Sequence, residues 1–169
     1  MTIRLAQTDD LPFLEEMYRQ VVVAMRRNGL FIWDDVYPAA FLAEDIAQKR
    51  LYVLDGQGDE ITACYALCRE HTEKDAVLWV HPDENALYLD RLAVHVEYAR
   101  KGTGTKALHS ALSLAKHQGA VALRLFVAES NLPAIAFYRK NGFCQREGLY
   151  EEVIDEALTL RFYGFETAV

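Results

Sequence analysis

The segment from Leu87 to Leu108, LYLDRLAVHVEYARKGTGTKAL, concentrates residues whose types and spacing suit chemistry. An apolar run leads into a turn made of Arg100, Lys101, Gly102, Thr103, Gly104 and Thr105, with Lys106 next. Glycine has no Cβ, so the backbone at Gly102 and Gly104 can come close to a ligand. A helix starting there leaves its first N–H groups without an intrahelical partner, and its dipole favours negative charge at that end. Arg100, Lys101 and Lys106 add positive charge. The turn is therefore suited to a phosphate or pyrophosphate group.

Three phosphate-binding patterns compete for these residues. A P-loop needs G-x-x-x-x-G-K-[ST], which no stretch of the chain contains. A dinucleotide fingerprint, G-x-G-x-x-A, is matched by Gly102, Gly104 and Ala107, with Glu129 where an acidic residue belongs. That fingerprint requires further βαβ units downstream, and the chain continues instead as a short helix and a hairpin. The third pattern is [QR]-x-x-G-x-[GA], followed later by N-x-x-A-x-x-F-Y-x-x-x-G-F. The second is carried by Asn131, Ala134, Phe137, Tyr138, Gly142 and Phe143. In both signatures and in element order the chain resembles the GNAT acetyltransferases over essentially its whole length. The first position of the first signature holds Ala99 in place of Gln or Arg, with Arg100 and Lys101 following directly.

The resemblance implies an acetyl-CoA site. Leu92, Ala93 and Val94 would run beside the pantetheine arm on a strand that splays from its neighbour, and Arg100 to Thr105 would cradle the pyrophosphate. Asn131, Ala134 and Tyr138 would add contacts, with helix capping as an equal reading for Asn131. Tyr138 matches the family's general acid, which protonates the CoA thiolate as a tetrahedral intermediate collapses. Only a free amine attacks, so a base must take a proton from the ammonium. Asp90, on the strand entering the glycine turn, is the candidate, directly or through water, and an ion pair with a nearby Arg or Lys is its alternative. Trp33, Asp34 and Tyr37 lie between the first two helices, where relatives line the acceptor pocket. An aromatic and acidic set suits a protonated amine, and a plain helix–helix loop with a buried Trp accounts for them equally.

The elements that must position these groups are legible from periodicity. Thr2 to Ala6 reads as a strand, and a helix follows with Thr8 or Asp9 as cap and Pro12 in its first turn. Leu14, Met17, Tyr18, Val21 and Met25 repeat at helical spacing until Asn28-Gly29. Pro38 opens a second helix. Strands are expected at Leu51–Leu54 and Glu60–Cys68 around a turn at Gly56–Asp59. Val77–Val80 extends the sheet before a turn at His81–Asn85, and Ala86–Val96 is a long apolar strand. A helix over Gly102–Gln118, a strand over Ala120–Ala128, a helix over Asn131–Asn141 and a hairpin of Phe143–Leu149 with Ala157–Glu166 complete the order. This is the pattern of a mixed α+β fold: a central, mostly antiparallel sheet of about seven strands flanked by helices. Its central strand–helix–strand unit should be parallel.

The 169 residues read as a single domain over 1–169, without a linker, repeat or low-complexity tract. A net charge of −7 argues against nucleic acid as a partner. No apolar run or leader pattern points to a membrane or to secretion, so the expected location is the cytoplasm. Of three cysteines, Cys64 and Cys68 would share one strand face in the core, and neither they nor Cys144 have a His at a telling spacing. No metal is expected, and a covalent cysteine route has little support. The resemblance therefore implies an acetyl-CoA-dependent N-acetyltransferase acting on a primary amine of a small molecule or peptide by direct attack. A homodimer contact is expected along the edge of the C-terminal hairpin. The alternatives are a non-catalytic acyl-CoA sensor on the same fold and a nucleotide-dependent oxidoreductase.

Overall fold

Every expected strand and helix forms, with ends that shift by a few residues. The structure, a computed structural model, describes all residues except Met1, Gln57, Asp59 and Asp83. The turns expected at Gly56–Asp59 and His81–Asn85 therefore lie partly outside the described residues. In chain order the elements are β1 (Thr2–Leu5), α1 (Leu11–Arg27), α2 (Ala39–Ala47), β2 (Leu51–Asp55), β3 (Ile61–Cys68) and β4 (Val77–Leu78). They continue as β5 (Ala86–Val94), α3 (Thr103–His117), β6 (Ala122–Ala128), α4 (Leu132–Lys140), β7 (Cys144–Val153) and β8 (Thr159–Ala168). The architecture is mixed α+β, and of the registers described only that of β5 with β6 is parallel. No described helix is long and apolar enough to cross a membrane.

The residues pack as two compact units, Met1–Leu67 with Leu89–Ala111, and Cys68–Tyr88 with Leu112–Val169. In the first, the strand order is β1-β2-β3-β5. Successive side chains of a strand point to opposite faces, and β3 uses this to hold helices on both. Cys64 meets Tyr18 of α1, while the Tyr65 hydroxyl bonds Ser110 Oγ of α3 at 2.8 Å. Leu14, Met17 and Tyr18 give α1 its buried stripe. Its start differs from expectation: the carboxylate of Asp10, not Thr8 or Asp9, accepts the Gln7 N–H at 2.7 Å, and Asp10 is the N-cap. Arg4 holds the same carboxylate through two bonds, which keeps Asp10 below the usual carboxylate range. Gly29 supplies the left-handed conformation, φ 75°, that ends the helix.

In the second unit the order is β5-β6-β8-β7-β4. The parallel register runs from Ala86↔Ala122 to Tyr88↔Arg124, as the strand–helix–strand pattern requires. β6 and β7 flank β8 antiparallel, with an irregularity between Gln145 and Leu149. The Val77–Leu78 strand pairs with β7 at Gly148 and Glu147, at the sheet edge. Two glycines admit it. A Cβ on Gly148, φ 102°, would lie 2.3 Å from the Ala76 carbonyl oxygen, and one on Gly164 would lie 2.7 Å from Val77 Cγ1.

These environments separate two kinds of glycine. Gly29→Ala meets open space and should lose only the left-handed backbone preference, about 1 kcal/mol. Gly148→Ala adds a collision with backbone and should lose about 3 kcal/mol or more. Urea unfolding of the two variants reads the difference, and equal midpoints would refute the close approach of Ala76.

Candidate active site

Asp90 stands at an irregular point of β5. The next residue, Arg91, has φ 53°, a left-handed conformation uncommon for a residue with a side chain. The Arg91 N–H donates to Asp90 Oδ1 at 2.8 Å, and the twist at Arg91 brings its guanidinium back so that Nη1 donates to Asp90 Oδ2 at 2.7 Å. The Arg91 side chain is 6% exposed and the Asp90 side chain 27%. The guanidinium reaches a second carboxylate, Asp45 of α2, whose Oδ2 accepts from Nε and Nη2, each at 2.8 Å. Asp45 is fully buried, and its Oδ1 accepts from Arg50 Nε at 2.6 Å. The Tyr18 hydroxyl donates to the Arg91 carbonyl. An ion pair was the expected alternative for Asp90, and the structure contains that pair.

The aromatic residues between α1 and α2 gather at the same carboxylate. Tyr37 donates its hydroxyl to Asp90 Oδ1 at 3.3 Å. Burial, with the Asp90 charge next, pushes the Tyr37 phenol well above its ordinary value, so it remains a protonated donor. Its ring meets Trp33 and Phe41 edge-on, and Trp33 in turn lies against Tyr18, with ring centroids 5.8 Å apart. Asp34 does something else. Its Oδ1 accepts the N–H groups of Tyr37 and Val36, both at 2.7 Å, and these bonds hold its carboxyl below the usual range. Asp34 thus shapes the loop that presents Trp33 and Tyr37.

Further along, Val96–Tyr98 forms a single 3-10 turn after β5, with the His95 ring accepting the Glu97 N–H. Arg100 and Gly102 both take positive φ, 59° and 80°. Lys106 N reaches the Gly102 carbonyl at 3.1 Å, so α3 begins at once and the amides of Thr103, Gly104 and Thr105 form its first turn. Thr103 is buried, while Arg100 and Lys101 are exposed, with Lys101 Nζ over the Tyr98 ring. Leu92 and Val94 are half-buried and Ala93 is buried. The turn has the backbone geometry and charge that an anion requires.

The remaining candidates belong to the second unit. Asn131 caps α4, its Oδ1 accepting the Ala134 N–H at 3.2 Å. Tyr138 is half-buried between Phe137 and Phe143. Gly142, φ 88°, turns the chain after α4 so that Phe143 N reaches the Tyr138 carbonyl at 3.1 Å. This explains the asparagine–glycine–phenylalanine end of the second signature. Trp33, Tyr37 and Asp90 come together in one unit, and Asn131, Ala134 and Tyr138 in the other.

Sequence reasoning missed Asp45 and Arg91. Asp45 follows Glu44 in a short helix and Arg91 follows Asp90 in a strand, so each reads locally as one of two adjacent charges, and only the fold shows that the two pair in the core. It also missed a half-buried aromatic group in the second unit, His71, Phe126, Tyr150 and Phe162, with Tyr150 and Phe162 stacked 4.7 Å apart. Among the described residues, no group of His, Cys, Asp and Glu is arranged to hold a metal ion.

The acetyltransferase (GNAT) family matches residues 14–143, a stretch that contains both signatures. N-alpha-acetyltransferase 30 of Schizosaccharomyces pombe is 31% identical over 75 residues, 44% of this chain and 50% of that protein. The match thus spans half the length of that curated relative. A GNAT-family acetyltransferase of Streptococcus agalactiae superposes with a TM-score of 0.83 at 19% identity, covering 99% of this chain and 95% of its own. YncA of Salmonella typhimurium, solved with its cofactor acetyl-CoA, gives 0.69 at 18% identity, covering 99% and 93%. At these identities the structures bear on the fold.

The thiols yield a direct check on the packing around Tyr18. Cys64 and Cys68 are buried and Cys144 is exposed, and none of the three forms a disulfide. Burial pushes the Cys64 thiol up to about 12, far from the thiolate that reacts. The folded protein should therefore react with one equivalent of a thiol-specific disulfide reagent at pH 8, at Cys144, and with three in guanidinium. Rapid modification of Cys64 in the folded protein would contradict the packing described.

Proposed function

The chain belongs to the acetyltransferase (GNAT) family, and we propose that it is an N-acetyltransferase that moves an acetyl group from acetyl-CoA to a primary amine of a small molecule or a peptide end. The observation that carries this reading is the turn from Arg100 to Thr105. Two left-handed residues, Arg100 and Gly102, lead straight into the first turn of α3, where backbone amides suit a pyrophosphate. Arg100 and Lys101 add charge there, and with Ala99 at the preceding position Arg100 is the side chain available for the contact. Bound acetyl-CoA supplies the activated acyl group. Leu92, Ala93 and Val94 offer strand backbone to its pantetheine arm, and Asn131, Ala134 and Tyr138 supply further contacts.

Tyr138 holds a proton on its phenol for the departing thiolate. Asp90 receives the proton that the ammonium must lose, directly or through one water. Three donors, Arg91 N–H, Arg91 Nη1 and the Tyr37 hydroxyl, occupy its two oxygens. A carboxylate offers about four acceptor sites, so Oδ2 retains room for a further donor. Trp33 and Tyr37 form the aromatic wall beside it, suited to an ammonium, with Asp34 fixing their loop. Three cysteines held as thiols support a cytoplasmic setting. The β7 edge at Leu149–Val153, beyond its pairing with β4, supports a homodimer contact.

The test is CoA release from acetyl-CoA with a panel of polyamines, amino acids, aminoglycosides and peptides with free N-termini. Wild type should turn over one class, and Tyr138→Phe should slow that turnover by about a hundredfold. Gly102→Val puts a branched side chain on a left-handed residue and should weaken acetyl-CoA binding at least about tenfold. Acetyl-CoA binding without turnover of any amine would favour the non-catalytic sensor. Failure to bind acetyl-CoA would sink the reading.

A further inference from the structure

We infer that Arg91 is a positioning residue for Asp90, aimed in turn by Asp45; the inference rests on the reading of Asp90 as the proton acceptor. A buried ion pair is weak evidence of a stability role, because apolar residues of similar volume fill such a site as well or better. This pair also costs backbone strain, since Arg91 sits inside a strand at φ 53°. Geometry accounts for both. With an ordinary extended backbone the side chain of Arg91 would point to the face opposite the preceding side chain. At the observed φ of 53° the guanidinium turns back to Asp90 Oδ2, while the backbone N–H bonds Oδ1.

The guanidinium is anchored through its Asp45 side. Nε and Nη2 are both spent on Asp45 Oδ2, so the planar fork is fixed and Nη1 is directed at Asp90 Oδ2. The face of the guanidinium lies over the Phe41 ring, 5.5 Å from its centroid. Asp45 is itself fixed by Arg50 on its other oxygen. Tyr18 anchors the Arg91 carbonyl, which holds the strained residue from the far side. Asp90 is thus held from Arg91 on both oxygens and from Tyr37 on one, leaving its outer lone pair for a substrate proton or a water. Charge alone would not require this arrangement; direction does.

The test uses the full chain and the amine that wild type turns over. The double variant Asp45→Leu, Arg91→Met removes both buried charges, so neither is stranded. Arg91→Lys keeps the charge but a single ammonium cannot span both carboxylates in the same plane. For the double variant we expect the acetyl-CoA Kd and KM to stay at wild-type values and kcat to fall roughly 10- to 100-fold. Arg91→Lys should lose most of the same factor. Combined with Asp90→Asn, the double variant should add almost nothing further, the signature of residues acting as a unit. Wild-type kcat in the double variant, or a loss that multiplies with that of Asp90→Asn, overturns the inference. If the double variant does not fold, wild-type kcat in Arg91→Lys overturns it equally. Wild-type kcat in Asp90→Asn, or no turnover of any amine by wild type, instead removes the reading of Asp90 on which the inference stands.

Discussion

A guanidinium that is 6% exposed has lost most of its hydration, at a cost of several kcal/mol unless carboxylates and hydrogen bonds replace the water. In the first unit that requirement organises the surroundings. Asp45 must come from α2, which fixes where that helix lies over β5. Asp45 then needs its own partner, and Arg50, in the connection from α2 to β2, provides it. Tyr18 of α1 takes the Arg91 carbonyl. α1 and α2 therefore meet at one residue of β5, and the loop joining them brings the Tyr37 hydroxyl to Asp90. Loss of either partner alone would leave a charge stranded in the core, which is far more damaging than loss of the pair together.

The sequence carries some of this plainly and some not at all. Apolar period and glycine or asparagine punctuation locate every element, because burial and backbone freedom are local properties. Gly102 and Gly142 stand out for the same reason, each being needed at a positive φ. Arg91 adopts a comparable backbone without being glycine, and no local rule points to it; only its contacts with Asp45 and Asp90 hold it there. The role of Asp34 is similar. An aspartate between two helices beside aromatics suits an ammonium ligand, yet its Oδ1 is taken by two amides two and three residues on, a habit that short acidic side chains have wherever a turn needs closing. The cap of α1 falls at Asp10 because Thr8 to Asp10 form a 3-10 turn ahead of the helix, and Arg4 of β1 pins the Asp10 carboxylate.

Close backbone approach does for the second unit what the ion pair does for the first. Gly148 and Gly164 lack the Cβ atoms that would meet Ala76, Val77 and Trp79, so this segment lies directly on the hairpin face. Trp79 is then buried against Arg124, itself held by Glu166 and by the His81 carbonyl. The half-buried rings of His71, Phe126, Tyr150 and Phe162 continue that face. None of this is legible from the glycines alone, since a glycine in a strand signals a bulge or a close neighbour without naming which.

The loop before α2 has a further implication for how such an enzyme diversifies. Its shape is closed by one aspartate and its own backbone, and its ends are fixed by buried groups. Phe31 and Val36 between them present exposed side chains that take no part in that closure. Substitutions there change the outer surface of the loop at little thermodynamic cost. Descendants of this chain can therefore vary these outward positions while the geometry around Asp90 is inherited unchanged.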